Sequence, residues 1–112
     1  MAFTATLETI NKTAYIALVG DLDASSASVF KAEVEKASGL GVKHLVLQMQ
    51  DLEYMASAGL RVLIFAKQKM GVDVDIYVVA AQEMVLDTLV KTGFDQSVII
   101  TDAYEVIATV AS

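Results

Sequence analysis

The chain of 112 residues contains no cysteine and no proline, and only one histidine, His44. Without cysteine it can form neither a disulfide framework nor a cysteine metal site, which fits a reducing compartment. No set of His, Asp and Glu has the spacing of metal ligands, so we expect no metal and no other cofactor. Proline, low-complexity segments and repeats are all absent, and we find no linker. We therefore predict a single domain over residues 1–112.

Basic residues and long apolar runs are also scarce. The 8 Lys and Arg residues against 14 Asp and Glu give a formal net charge of −6, with no basic strip. Nucleic acid and anionic membranes are therefore poor partners, whereas a basic protein surface suits the domain. No apolar run approaches the roughly 18 to 20 residues of a membrane-spanning helix, and the start, MAFTATLETINK, does not resemble a signal peptide. Hydrophobic residues still make up 55% of the chain, enough for a core.

Apolar blocks alternate with polar breaks along the whole chain. Segments rich in β-branched residues predict strands, and apolar residues at helical spacing, ended by glycine, predict helices. Residues 20–23 are predicted to break the second strand, and residues 51–55 to form a loop. The order β-β-α-β-α-β-α-β-α predicts an α/β fold with a mixed, mostly parallel sheet. The predicted strands are 3–9, 13–19, 42–49, 72–80 and 98–101, and the predicted helices are 25–36, 57–70, 82–92 and 102–110.

Ser57 lies among small residues in the segment YMASAGL, at the start of a predicted helix. A hydrolase nucleophile is typically found in G-x-S-x-G on a sharp turn directly after a strand. Here Met55 takes the place of the first glycine and only His44 could act as the base, so we expect no enzyme. Serine is a preferred N-cap, and a helix N-terminus also accommodates a phosphate group. Ser57 can therefore be a cap, a phosphorylation site, or both.

The helix that follows Ser57 carries an aromatic residue, Phe65, on its polar side. At about 100° per residue, Ser57, Arg61 and Phe65 lie along one stripe. Either another element covers Phe65, or Phe65 is an exposed anchor of a protein interface with Arg61 beside it. The opposite, apolar side of the helix carries Leu60, Val62, Leu63 and Ala66.

Three stretches of the sequence match the motifs of a known family: 19–24 (VGDLDA), 45–59 (LVLQMQDLEYMASAG) and 89–94 (LVKTGF). They resemble the STAS domain family, which typically has a G-x-L/V-D motif after the second strand, an M-D-S-S-G-L segment at the second helix, and an L-x-x-x-G/L ending of the third helix. A free-standing STAS domain of this size most resembles a bacterial anti-sigma factor antagonist. The resemblance covers nearly the whole chain and implies a single STAS-like α/β domain.

The resemblance also implies a function. Unphosphorylated antagonists bind an anti-sigma factor that is also a serine kinase; the kinase phosphorylates a serine at the start of the second helix, and a PP2C-type serine phosphatase resets the switch. On this chain the phosphoacceptor would be Ser57, and Asp23 would contact the kinase. The protein would be cytoplasmic, not an enzyme, and a monomer when free. The implied partner-binding residues are Asp23, Ala56, Ser57, Gly59, Arg61 and Phe65.

The chain departs from the family pattern at three positions. Ala56 replaces the acid usual before the serine, Ala58 replaces the second serine, and Gln48 replaces the aspartate usual at the end of the third strand. Two other functions stay open at this point. The domain could be an accessory subunit of a membrane transport complex, docked by its STAS surface, or a structural STAS protein of a stressosome-type assembly.

Overall fold

A five-stranded mixed sheet with helices packed against it forms the domain, as a computed structural model shows for residues 2–104. The predicted α/β fold is confirmed. Of the predicted last helix, residues 102–104 are not helical, and residues 105–110 lie outside the described part of the chain. The strands are β1 (Thr4–Ile10), β2 (Thr13–Leu22), β3 (His44–Met55), β4 (Asp75–Val79) and β5 (Ile99–Thr101), and the helices are α1 (Ala27–Ser38), α2 (Ser57–Met70) and α3 (Glu83–Thr92), followed by a 3-10 turn at Phe94–Gln96.

The strands lie side by side in the order in which they occur along the chain. β1 and β2 form an antiparallel hairpin, and its turn places Asn11 in the left-handed region at a φ of 56°. The remaining neighbours, β2 with β3, β3 with β4, and β4 with β5, are parallel. Because parallel strands end at the same edge of a sheet, the loops after β2, β3 and β4 meet at the carboxyl edge.

The alternation of side chains along the strands separates two apolar clusters. Ala14, Ile16 and Leu18 of β2 point into the main core, where they meet buried residues of α1, α2 and α3. Tyr15, between them in sequence, points to the other face of the sheet, where it packs with Val46 and other strand residues. Among the described residues, no helix contributes to this second cluster. The three helices therefore cover one face of the sheet.

Two strands are longer than the sequence predicted. The predicted break at 20–23 is wrong for its first three residues, since β2 continues to Leu22 and only Asp23 lies outside it. The predicted loop at 51–55 is wrong, because the ends of β2 and β3 pair with each other: Gly20 lies opposite Leu52 and Leu22 opposite Met55. Register shifts between these strands allow Leu52 and Met55 both to be buried, although strict alternation would point them to opposite faces. The polar residues that suggested a loop, Asp51 and Glu53, are exposed on either side of Leu52.

β4 is shorter than predicted. It begins at Asp75, and Val72, which the sequence assigned to the strand, is 93% exposed. Within residues 2–104, the helices are all too short or too polar to cross a membrane.

Candidate functional site

The candidate site lies at the carboxyl edge of the sheet, where β2 and β3 end together. The amide of Ala56 donates to the carbonyl oxygen of Leu22 at 2.8 Å, which extends the pairing of Leu22 with Met55 by one hydrogen bond. Asp23 directly follows Leu22, and Ser57 directly follows Ala56. The structure therefore places these two predicted site residues on neighbouring chain segments at one edge of the sheet.

Ser57 is the exposed first residue of α2. The predicted capping role of Ser57 is wrong, because the N-cap is Ala56, in an extended conformation. The carbonyl of Ala56 accepts from the amides of Gly59 and Leu60 at 3.0 and 3.1 Å. The helical hydrogen bonds therefore begin one residue earlier than they would if Ser57 were the N-cap. Within the described part of the chain, the amides of Ser57 and Ala58 have no backbone acceptor. Both donors, together with the Ser57 hydroxyl, are at the helix N-terminus, which carries partial positive charge.

Asp23 is held in a fixed position by the turn that leads into α1. Its Oδ1 accepts from the amides of Ser25 and Ser26 at 3.0 and 3.1 Å, and from their hydroxyls at 2.7 and 3.1 Å. The hydroxyl bonds from Ser25 and Ser26, followed by those from the two amides, lower the pKa of Asp23 because they stabilise the charged form. The carboxylate is therefore ionised at neutral pH and held in the turn that follows β2.

Gly59 brings the first turn of α2 close to the sheet. A Cβ at this position would lie 2.6 and 2.7 Å from Cγ and Cδ2 of Leu22 and 3.0 Å from Cγ of Met55. Both neighbours belong to the main core. Because Gly59 is itself buried, it supports the site by placing α2, and its surface is not available to a partner.

The exposed stripe of α2 runs through Ser57, Arg61 and Ile64. Arg61 takes part in no ion pair within residues 2–104. Phe65, which the sequence left undecided, is half-buried: it packs against the main core, and Nζ of Lys31 on α1 lies 4.8 Å from its ring centroid. Sequence reasoning missed Ile64, which is 40% exposed and is the large apolar side chain that this stripe presents. Gln68, four residues after Ile64, is polar and exposed. This spacing could have identified Ile64 as part of the exposed stripe.

The acidic side chains near the site come from the end of β3. Asp51 and Glu53 are exposed there, and Tyr54 beside them is 45% exposed. Gln48, by contrast, lies in mid-strand and lines a cleft on the face of the sheet away from the helices. The replacement of the family's aspartate at this position therefore removes charge from that face rather than from the surroundings of Ser57.

Other candidate chemistry does not converge on Ser57. His44 begins β3, so it lies toward the amino edge of the sheet, and its Nδ1 is 3.8 Å from Oδ2 of Asp75. It is therefore not placed to act as a base for Ser57. Among residues 2–104, no three His, Cys, Asp or Glu side chains are grouped as metal ligands would be.

Known structures share this arrangement of strands and helices. The chain is similar to an anti-sigma factor antagonist from Mycobacterium paratuberculosis, with a TM-score of 0.86 and 19% identity over 97% of this chain and 93% of that chain. It is also similar to the anti-sigma factor antagonist SpoIIAA in its unphosphorylated form, with a TM-score of 0.73 and 20% identity over 96% of each chain. The Bacillus protein SpoIIAA in its phosphorylated form gives a TM-score of 0.72 at 20% identity over 98% of each chain.

At these identities the structural likeness shows the fold, and a comparison with curated proteins finds no match. The family itself is shown by sequence. The family model described as the STAS domain matches residues 4–112, which is nearly the whole chain and includes both strand ends and the start of α2. The protein therefore belongs to the STAS domain family.

Proposed function

We propose that this domain is an anti-sigma factor antagonist that binds an anti-sigma factor with serine kinase activity and is released when that kinase phosphorylates Ser57. The observation that carries the proposal is the position of Ser57, exposed at the first residue of α2 and next to the paired strand end that bears Asp23. A kinase can reach a serine there without unfolding any part of the domain. In this proposal the domain is a cytoplasmic binding protein, monomeric when free, with no catalytic activity of its own.

The start of α2 can accommodate a phosphate group. A phosphoserine carries about −1.5 to −2 charge at neutral pH. The amides of Ser57 and Ala58 have no backbone acceptor within residues 2–104, and they lie where the helix dipole favours negative charge. Arg61, one helical turn along the exposed stripe, is free to approach the added charge. Phosphorylation should therefore leave the fold intact.

The same modification should disfavour the partner. The proposed contact surface surrounds Ser57 and includes Asp23, Ala56 and Arg61, with the exposed edge of Phe65 at its margin. Gly59 contributes by placing α2 rather than by contact. A partner surface that fits the neutral serine closely would have to desolvate a doubly charged group after phosphorylation, which costs on the order of 1 to 3 kcal/mol or more. A PP2C-type phosphatase would restore binding.

Labelling by the cognate kinase tests the proposal. The domain is used as bait to capture the anti-sigma factor, and the pair is incubated with ATP and analysed by intact mass and fragment sequencing. We expect one phosphate on Ser57, with none after Ser57→Ala. Ser97→Ala is the matched control, because Ser97 is also exposed but precedes β5 and so lies toward the opposite, amino edge of the sheet, and it should leave labelling unchanged. Labelling at another residue, or capture of a transporter ATPase instead of a kinase, would contradict the proposal.

A further inference from the structure

The face of the sheet away from the helices carries a cleft of about 290 Å³. It crosses β1, β2 and β3, and among the described residues it is lined by Thr6, Glu8, Ile10, Tyr15, Ala17 and Gln48. Its volume is at the lower end of the range of small-molecule sites. None of these residues belongs to the carboxyl edge that bears Ser57.

The cleft follows from the side chains that the pairing of the strands brings together. Thr6 lies opposite Ala17, and Ala17 lies opposite Gln48 on the next strand. The alanine is therefore a short side chain between two longer ones, which leaves a depression in the sheet surface. Glu8 lies opposite Tyr15, and this pair borders the depression on the side toward the hairpin turn.

The lining has the chemistry of a site for a cation. Among the described residues it contains one carboxylate, from Glu8, and no Lys or Arg, and Glu8 takes part in no ion pair. Thr6 and Gln48 add a hydroxyl and an amide oxygen that can accept from N–H groups. Burial, and then the neighbouring Tyr104 and Glu8, raise the pKa of Tyr15 above its usual value, so the phenol stays neutral.

We propose that this cleft binds a small organic amine in its ammonium form, with an apolar body of about the size of one ring. The ammonium group pairs with Glu8 and donates to Gln48 or Thr6, and the apolar body lies against Tyr15 and Ala17. An aromatic ring beside the carboxylate also favours a cation. An anion would meet no positively charged group among the described lining residues. The site is independent of the proposed switch, since it requires neither Ser57 nor a protein partner.

An NMR titration of the ¹⁵N-labelled domain with phenethylamine tests the proposal, with 2-phenylethanol as the uncharged probe of the same shape. We expect saturable shifts with the amine at millimolar concentration, as a probe of this size gives, and much smaller shifts with the alcohol. The shifts should be largest at the amides of Thr6, Glu8, Tyr15, Ala17 and Gln48.

Four variants sharpen the test. Glu8→Gln should weaken binding of the amine up to about fivefold, the effect of one exposed ion pair, whereas Glu35→Gln on the exposed side of α1 should not. Ala17→Val introduces a strand-favouring residue and fills the floor of the cleft, so it should abolish the saturable shifts while the spectrum stays dispersed. Ser57→Ala should leave binding unchanged. The proposal is overturned if no saturable shifts occur, if the alcohol binds as well as the amine, or if Glu8→Gln has no effect.

Discussion

Replacement of Gly59 by alanine should destabilise the domain, although alanine is the better helix former. The added Cβ would lie 2.6 Å from Cγ of Leu22, 2.7 Å from its Cδ2 and 3.0 Å from Cγ of Met55. The contact with Leu22 involves the branching carbon and not only a mobile tip, and Leu22 is fully buried. Either Leu22 leaves its rotamer or the start of α2 moves away from the sheet.

Two opposing terms set the size of the effect. Overpacking of a tight core site costs about 1 to 3 kcal/mol, and contacts with two buried side chains place Gly59→Ala in the upper half of that range. The better helix propensity of alanine returns at most about 1 kcal/mol. We therefore expect a net loss of about 1 to 2 kcal/mol in the free energy of unfolding, which for a domain of this size lowers Tm by roughly 4 to 8 °C.

Gly39 provides the matched control, because it ends α1 at a φ of −83°, and among the described residues a Cβ there would meet only the Lys36 carbonyl oxygen, at 3.6 Å. Gly39→Ala should be neutral or stabilising by up to about 1 kcal/mol. Urea unfolding followed by circular dichroism measures both variants. If Gly59→Ala were as stable as Gly39→Ala, the close approach of α2 to Leu22, and with it the placement of Ser57, would be refuted.

Three further predictions concern the site. Because the folded-state pKa of Asp23 is lowered, its ionised form stabilises the domain at neutral pH; urea unfolding should show Asp23→Asn less stable than wild type there, with the difference shrinking as the pH falls from about 4, the unfolded-state pKa, through the lower folded-state pKa. Phe65→Ala should lower stability by about 1 to 3 kcal/mol, while the more exposed Ile64→Ala should change it by less than about 0.5 kcal/mol and weaken partner binding in a pull-down. Ala56→Asp places a preferred residue at the N-cap of α2 and should stabilise by about 1 kcal/mol; it should also raise the rate of Ser57 labelling, and unchanged stability would show that the cap is not formed.

The strand and helix order could be predicted because apolar periodicity is local. The ends of the elements could not, because pairing across the sheet determines them. Residues 51–55 look like a loop when taken alone, yet they form a strand because β2 extends beside them, and the register shifts between the two strands bury Leu52 and Met55. The sequence of either strand, taken alone, does not predict this pairing of β2 with β3.

In the candidate site, too, the sequence predicted what is local and missed what depends on neighbouring elements. The motif around Ser57 was sufficient to place it at the start of a helix, but not to show that Ala56 is the cap, because the cap depends on backbone angles and on the bond from Ala56 to Leu22. Whether Phe65 is exposed depends on where α1 lies, and Lys31 on that helix covers its ring. Helical periodicity describes one helix and contains no information about its neighbour.

The affinity of the captured anti-sigma factor for the domain, measured by calorimetry before and after stoichiometric phosphorylation of Ser57, tests the central claim most directly. We expect the phosphorylated domain, with an unchanged urea midpoint, to bind about 5- to 150-fold more weakly, the equivalent of about 1 to 3 kcal/mol. Equal affinities of the two forms, with the phosphate confirmed on Ser57 by mass spectrometry, would contradict the switch.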